Sequence, residues 1–193
     1  DSLPDALQIA SDAGAKKVSI KLSKENGITC SLMDNGCGMS KETLEECIRL
    51  GSISGKNNDM LGKFGVGLKT SALALSRMLT VYTKTDEDDD INVACQDLDK
   101  IIESNKFEVG FRKISCDSKE ALEFAMPDGK ALFTPESSGT VIVLSKCDNL
   151  SATNLHGATK SDLIFHIGRT FRKFIGLVTI WVNGEEVCAL DPL

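Results

Sequence analysis

Asp34-Asn35-Gly36-Cys37-Gly38-Met39 stands where an alternating apolar segment, residues 28–33, stops and a helical pattern, residues 41–49, starts. A carboxylate at such a strand-to-helix turn can accept a hydrogen bond from an exocyclic amine. The two glycines let a flat ring lie close against backbone, and Met39 adds a soft apolar contact. The same glycines also suit a plain turn that needs φ > 0. Taken alone, the stretch leaves ligand binding and turn geometry both open.

Outward from it, the pattern on each side is clear. Residues 18–22 and 28–33 alternate as two half-buried strands joined through Asn26-Gly27, a strong hairpin signal. Before them, residues 7–15 read as a helix end closed by Gly14. Ser40 is a good N-cap for residues 41–49, where Leu44, Cys47 and Ile48 share one helical face. Residues 68–78 form a second, Leu- and Ala-rich helix. Strands follow at 79–84, 91–95, 107–113 and 139–146. A helix at 161–174 then leads into strands 177–182 and 186–190, paired through Asn183-Gly184. The acidic run Asp86-Glu87-Asp88-Asp89-Asp90 reads as a solvated hairpin tip, because it lacks the ligand spacing of a calcium loop. Hairpins interrupted by helices predict an α+β, two-layer sandwich: a mixed, mostly antiparallel sheet with helices on one face.

A second chemically loaded stretch is Gly62-Lys63-Phe64-Gly65-Val66-Gly67-Leu68-Lys69-Thr70. Bare backbone N–H groups at a helix N-terminus make an anion cradle, and Lys69 adds positive charge. The spacing is not that of a P-loop, and no βαβ unit precedes it. Residues 51–67 hold five glycines with several Ser and Asn, which predicts a long mobile loop.

The 193-residue chain fits one domain, and its 41% apolar and 26% charged composition argues against membrane and disordered classes. A net charge of −6 does not suggest a whole-surface nucleic-acid binder. Seven cysteines, with no C-x-x-C pair, weigh against a disulfide framework or a zinc site and read as reduced thiols. With no apolar run near ~20 residues and no signal-like start, the expected location is intracellular, cytoplasmic or nuclear. His156 lies in a polar stretch. His166 is expected to pack among Ile164, Phe165 and Phe171. The basic cluster Arg169, Arg172, Lys173 reads as a solvated face.

The two glycine-bearing stretches, about 30 residues apart and in this order, resemble the GHKL ATPase superfamily of gyrase, the ninety-kilodalton heat-shock chaperones, histidine kinases and MutL. Asp34-x-Gly36-x-Gly38-Met39 is similar to its adenine motif. Gly62-x-x-Gly65-x-Gly67-Leu68-Lys69 is similar to its phosphate motif, with Phe64 and Val66 inside it. Gly139-Thr140 looks like the third element, where a threonine helps fix the adenine-binding carboxylate and a water. Phe64-Gly-Val-Gly-Leu-Lys69 and Val182-Asn-Gly-Glu-Glu-Val187 resemble the MORC-like and related bacterial branch most.

Several expectations follow from that resemblance. Residues 1–193 would be one ATP-binding domain within a longer protein, with ATP between helices and sheet under a lid at 51–67. ATP and Mg²⁺ would be the cofactors. The partners implied are an adenine nucleotide, a second copy in an ATP-dependent homodimer, and DNA or chromatin through other domains; a membrane is not among them. The family's water-activating glutamate falls at Asp5, the candidate catalytic base, and its magnesium-holding asparagine at Ile9, which has no donor atom. Gln8 and Ser11 offer oxygens at another angle. The readings are therefore an ATP-operated clamp or switch with slow hydrolysis, a non-hydrolysing nucleotide-binding module, or, with less support, a histidine-kinase catalytic domain.

Overall fold

The computed structural model of the chain describes residue 10 and residues 13–24, 27–48, 75–147 and 158–191. In chain order the elements are β1 (Lys17–Ser23), β2 (Thr29–Asp34), α1 (Lys41–Ile48), β3 (Met78–Lys84), β4 (Ile91–Asp97), α2 (Leu98–Ser104) and β5 (Gly110–Ile114). They continue with α3 (Lys119–Leu122), β6 (Gly139–Ser145), α4 (Ala158–Thr170), β7 (Thr179–Val182) and β8 (Glu185–Glu186). The strands form one sheet in the order β5-β4-β3-β6-β2-β1-β7-β8. Only β1 and β7 run parallel among these pairings; the rest are antiparallel. This is the mixed, mostly antiparallel α+β sheet that the alternating pattern predicts.

Side chains alternate between the two faces along each strand, and each face has its own core. On one face Ile20, Leu32, Val81 and Ile142 meet Leu44 and Ile48 of α1, Ile167 of α4 and Phe171 just after it. Burying a side chain such as Leu44 or Ile48 is worth about 1.5–3 kcal/mol relative to leaving it exposed. On the other face Met33, Tyr82, Val93 and Val141 pack against Ala121, Met126, Leu132 and Phe133. The two longer helices thus share one face, as expected. A largely irregular segment with the single-turn α3 covers the β3–β6 half of the other.

Local signals in the sequence hold at the turns. Gly14 has φ +72 and Ala15 N–H bonds back to Ala10 O at 3.1 Å, the six-residue closure of a helix C-terminus. Asn183 and Gly184 both have positive φ (47 and 80), the tight hairpin turn whose twist matches its strands. Ser40 Oγ accepts from Thr43 N–H and its carbonyl from Leu44 N–H, which caps α1. The acidic tip is a capped turn, with Asp88 Oδ2 accepting from the Thr85 hydroxyl at 2.7 Å.

Three differences have physical causes. The strand expected at 107–113 lies at Gly110–Ile114, and the one expected at 186–190 shrinks to Glu185–Glu186. Helix α2 buries no side chain; it is held by the Asp97 cap and by ion pairs of Arg77 and Lys146 with Asp99. His166 is exposed rather than packed, because α4 turns Ile167 and Gly168 to the core, with Phe171 buried just beyond the helix end. The helix expected at 68–78 lies mostly outside the described residues.

Candidate functional site

Strand pairing brings four polar side chains into one row on the helix-bearing face. Asp34 of β2 stands opposite Thr140 of β6, Thr140 opposite Thr83 of β3, and Thr83 opposite Asn92 of β4. All four are buried. Two residues further into each strand the same face is apolar: Leu32, Ile142, Val81 and Ala94. The polar row therefore ends the core, at the sheet edge where the loop 35–40 leaves β2. Directly opposed residues on one face are ~5 Å apart at Cβ, near enough to act together.

The loop is fixed at nearly every residue. Asn35 Oδ1 accepts from the N–H groups of Lys16 and Lys17 at 2.9 and 2.7 Å, tying the loop to the start of β1. Cys37 N–H donates to Ala13 O at 2.9 Å, so the turn before β1 lies under the loop. A Cβ on Gly36 would sit 2.9 Å from Ala13 Cβ, Ala13 O and Asp34 Oδ1. Gly38, at φ +70, passes so near Lys84 that an added Cβ would lie 2.0 Å from the Lys84 carbonyl oxygen. Met39 is half-buried against the helix-face core, and its N–H donates to Thr83 Oγ1 at 2.8 Å. Both glycines are therefore demanded by close approach, which decides between the two meanings the sequence left open only at the level of backbone.

Asp34 supplies the chemistry. Its Oδ1 accepts from Gly36 N–H at 2.9 Å, while Oδ2 has no donor among the described residues. Burial raises its pKa from 3.8 to about 6, and the Gly36 bond opposes part of that rise. A buried acceptor with an uncommitted oxygen, beside a threonine hydroxyl, suits a ligand amine that brings its own N–H.

The raised pKa has a stability consequence. A carboxyl that holds its proton more tightly when folded contributes most at low pH, and that contribution is lost as pH rises from about 4 to about 6. Guanidinium unfolding at pH 4 and pH 7 should therefore show a smaller loss of stability with rising pH in Asp34→Asn than in wild type. Equal pH dependence in both chains would contradict the burial of this charge.

Three side chains in this constellation, Thr83, Lys84 and Ser138, escape sequence reading. Thr83 Oγ1 lies 3.2 Å from both Gly139 O and Thr140 Oγ1, besides its contact with Met39. Lys84 is fully buried, and its Nζ donates to the carbonyls of Thr85, Pro135 and Ser137. Ser138 Oγ donates to Gly36 O at 2.8 Å. Together these bind the loop before β6 to the loop after β2. The one available signal is that Thr83-Lys84 interrupts an apolar strand end; their partners depend on register, which the sequence does not display.

The structure thus brings Asp34, Gly36, Gly38, Met39 and Thr140 together. Asp5, Ile9, Gly62, Phe64, Gly65, Val66, Gly67, Leu68 and Lys69, with the proposed lid and His156, lie outside the described residues. Among the described residues no cluster of His, Cys, Asp or Glu is arranged to hold a metal ion. None of their helices is long and apolar enough to cross a membrane.

Residues 3–126 match the family described as histidine kinase-, DNA gyrase B-, and HSP90-like ATPase. The chain is also 35% identical over 66 residues to Protein MICRORCHIDIA 3 of Arabidopsis thaliana, covering 34% of this chain and 11% of that protein. It is 29% identical over 93 residues to the MORC family CW-type zinc finger protein 1 of Homo sapiens, covering 45% of this chain and 9% of that protein. These alignments span about a tenth of the length of the relatives.

Proposed function

This chain belongs to the histidine kinase-, DNA gyrase B-, and HSP90-like ATPase family, and from that premise we propose that it is the ATP-operated clamp or switch of a longer protein. The observation that carries the reading is Asp34: a buried carboxylate with one oxygen held by Gly36 N–H and the other without a donor among the described residues. That acceptor fits the amino group of adenine, which supplies the N–H donors. Gly36 and Gly38 let the loop close on Ala13 and Lys84 beside it, Met39 offers an apolar contact, and Thr140 stands next to the carboxylate. The phosphates fall to Gly62, Phe64, Gly65, Val66, Gly67, Leu68 and Lys69, whose backbone N–H groups and one ammonium suit an anion.

Magnesium fits less well. The family position for its ligand holds Ile9, which has no donor atom to hold the ion. Asp5 stands at the position of the general base with a stem one methylene shorter than glutamate. A group misplaced by about 1 Å can cost ~100-fold in rate. Binding and closure are therefore the primary activity, and turnover is slow or depends on a partner. The likeness to MICRORCHIDIA 3 and to the human MORC protein extends the proposal to an ATP-dependent homodimer, to DNA or chromatin reached through neighbouring domains, and to an intracellular, cytoplasmic or nuclear location.

Phosphate release by the full chain tests the hydrolytic half. Wild type should turn over slowly or not at all, and Ile9→Asn combined with Asp5→Glu should raise turnover and its magnesium dependence. Rapid turnover by the wild type would show that another residue positions the metal. A second reading, a nucleotide-binding module that never hydrolyses, is favoured by Ile9 alone, and unchanged zero turnover in the double variant would support it.

A further inference from the structure

We infer that Thr83 is a positioning residue for base recognition: it turns the Thr140 hydroxyl into an acceptor beside Asp34 and seats Met39. This rests on the reading of Asp34 as the acceptor for adenine.

A threonine hydroxyl has one proton to give and two lone pairs to receive. Thr83 is fully buried, and its Oγ1 has three polar neighbours: Met39 N–H at 2.8 Å, Gly139 O at 3.2 Å and Thr140 Oγ1 at 3.2 Å. Met39 N–H can only donate, so it takes one lone pair. Gly139 O can only accept, so it takes the proton. If all three contacts are made, Thr140 must give its own proton to the second lone pair. Thr140 Oγ1 then faces its surroundings as an acceptor.

The consequence lies across the strand pair. Asp34, directly opposite Thr140 in β2, already contributes an acceptor oxygen that no donor among the described residues occupies. Two acceptors side by side match an amino group, with its two N–H donors or one donor and a bridging water. They mismatch the carbonyl oxygen that guanine carries in the same place. Without the Thr83 hydroxyl, the Thr140 proton has no sink on the β3 side and is free to turn to the Asp34 carboxylate. That bond would consume the acceptor the ligand needs. Met39 N–H, part-buried, would lose its partner as well. Selectivity for the amino group is thus set three strands deep in the sheet, by a residue with no exposed surface.

The test compares full-length wild type, Thr83→Val, Thr83→Ser and Asp34→Asn. Each is titrated with ATP and with the analogue of ATP that lacks the 6-amino group, and thermal unfolding is followed in parallel. Thr83→Val keeps the side-chain shape and removes the hydroxyl; it should lower the preference for ATP over the analogue roughly 3–10-fold, the worth of one hydrogen bond. Thr83→Ser keeps the proton count and should keep the preference. Parallel weakening of both nucleotides, or an unchanged ratio in Thr83→Val, would overturn the inference and leave Thr83 a packing residue. If Thr83→Val unfolds, Thr83→Cys, a poor acceptor of similar size, carries the same comparison. Asp34→Asn separates the two levels. If it abolishes the preference while Thr83→Val does not, only the inference fails; if wild type shows no preference at all, the adenine reading fails and this inference with it.

Discussion

Asp34→Asn should weaken ATP binding by ~1.5–3 kcal/mol, the range for a hydrogen bond to a charged group, or about 10- to 150-fold in affinity. An asparagine can still accept from Gly36 N–H through its amide oxygen, but its NH₂ then meets the amino group of the ligand donor to donor. Turned the other way, it faces Gly36 N–H with the wrong atom. The same substitution should not destabilise the ligand-free fold at neutral pH. Burial already penalises the Asp34 charge, raising its pKa to about 6, and the amide carries no charge to bury. Loss of binding without loss of stability separates a site residue from a structural one. Calorimetric titration together with guanidinium unfolding reads both. A variant that binds ATP as tightly as wild type would remove Asp34 from the site.

Gly38→Ala should be strongly destabilising. The position has φ +70, where an L side chain costs about 1–2 kcal/mol, and the new Cβ would fall 2.0 Å from Lys84 O and 2.6 Å from Lys84 C. Backbone atoms cannot rotate away, so overpacking adds about 1–3 kcal/mol. The sum, roughly 2–5 kcal/mol, corresponds to a fall of roughly 5–20 °C in Tm for a chain of this size. Gly129→Ala is the control: its φ is +80, but nothing lies within 4 Å of the added Cβ, so only the conformational part remains. Equal losses in the two variants would mean that the loop does not press on the end of β3.

The close approach of Gly38 to Lys84 illustrates what could be read in advance. Period-two alternation located β1, β2, β3, β4 and β6 to within a few residues, since each sends apolar side chains into a core. Asn183-Gly184, Gly14 and Ser40 announced their turn, helix end and cap through their own local chemistry. Helix α2 gave no apolar stripe because it buries nothing; a side-chain cap and ion pairs to distant Arg77 and Lys146 hold it. His166 was misjudged because apolar neighbours in sequence do not lie on the same side of a helix. At the site, Asp34, Gly36, Gly38 and Met39 were legible together since one loop carries them. Thr83 and Asn92 were not, because only strand register places them in one row with Thr140 and Asp34, from segments more than forty positions away.

The central claim is that Asp34 reads the amino edge of adenine, and titration of the full chain with ATP and with GTP at pH 7.5 tests it most directly. A carboxylate acceptor attracts the N–H donors of the adenine amino group and repels the carbonyl oxygen that guanine presents there. The account predicts saturable ATP binding at least tenfold tighter than GTP, about 1.4 kcal/mol or more, with the difference erased by Asp34→Asn. Equal affinity for the two nucleotides in wild type, or a preference that survives Asp34→Asn, would contradict it.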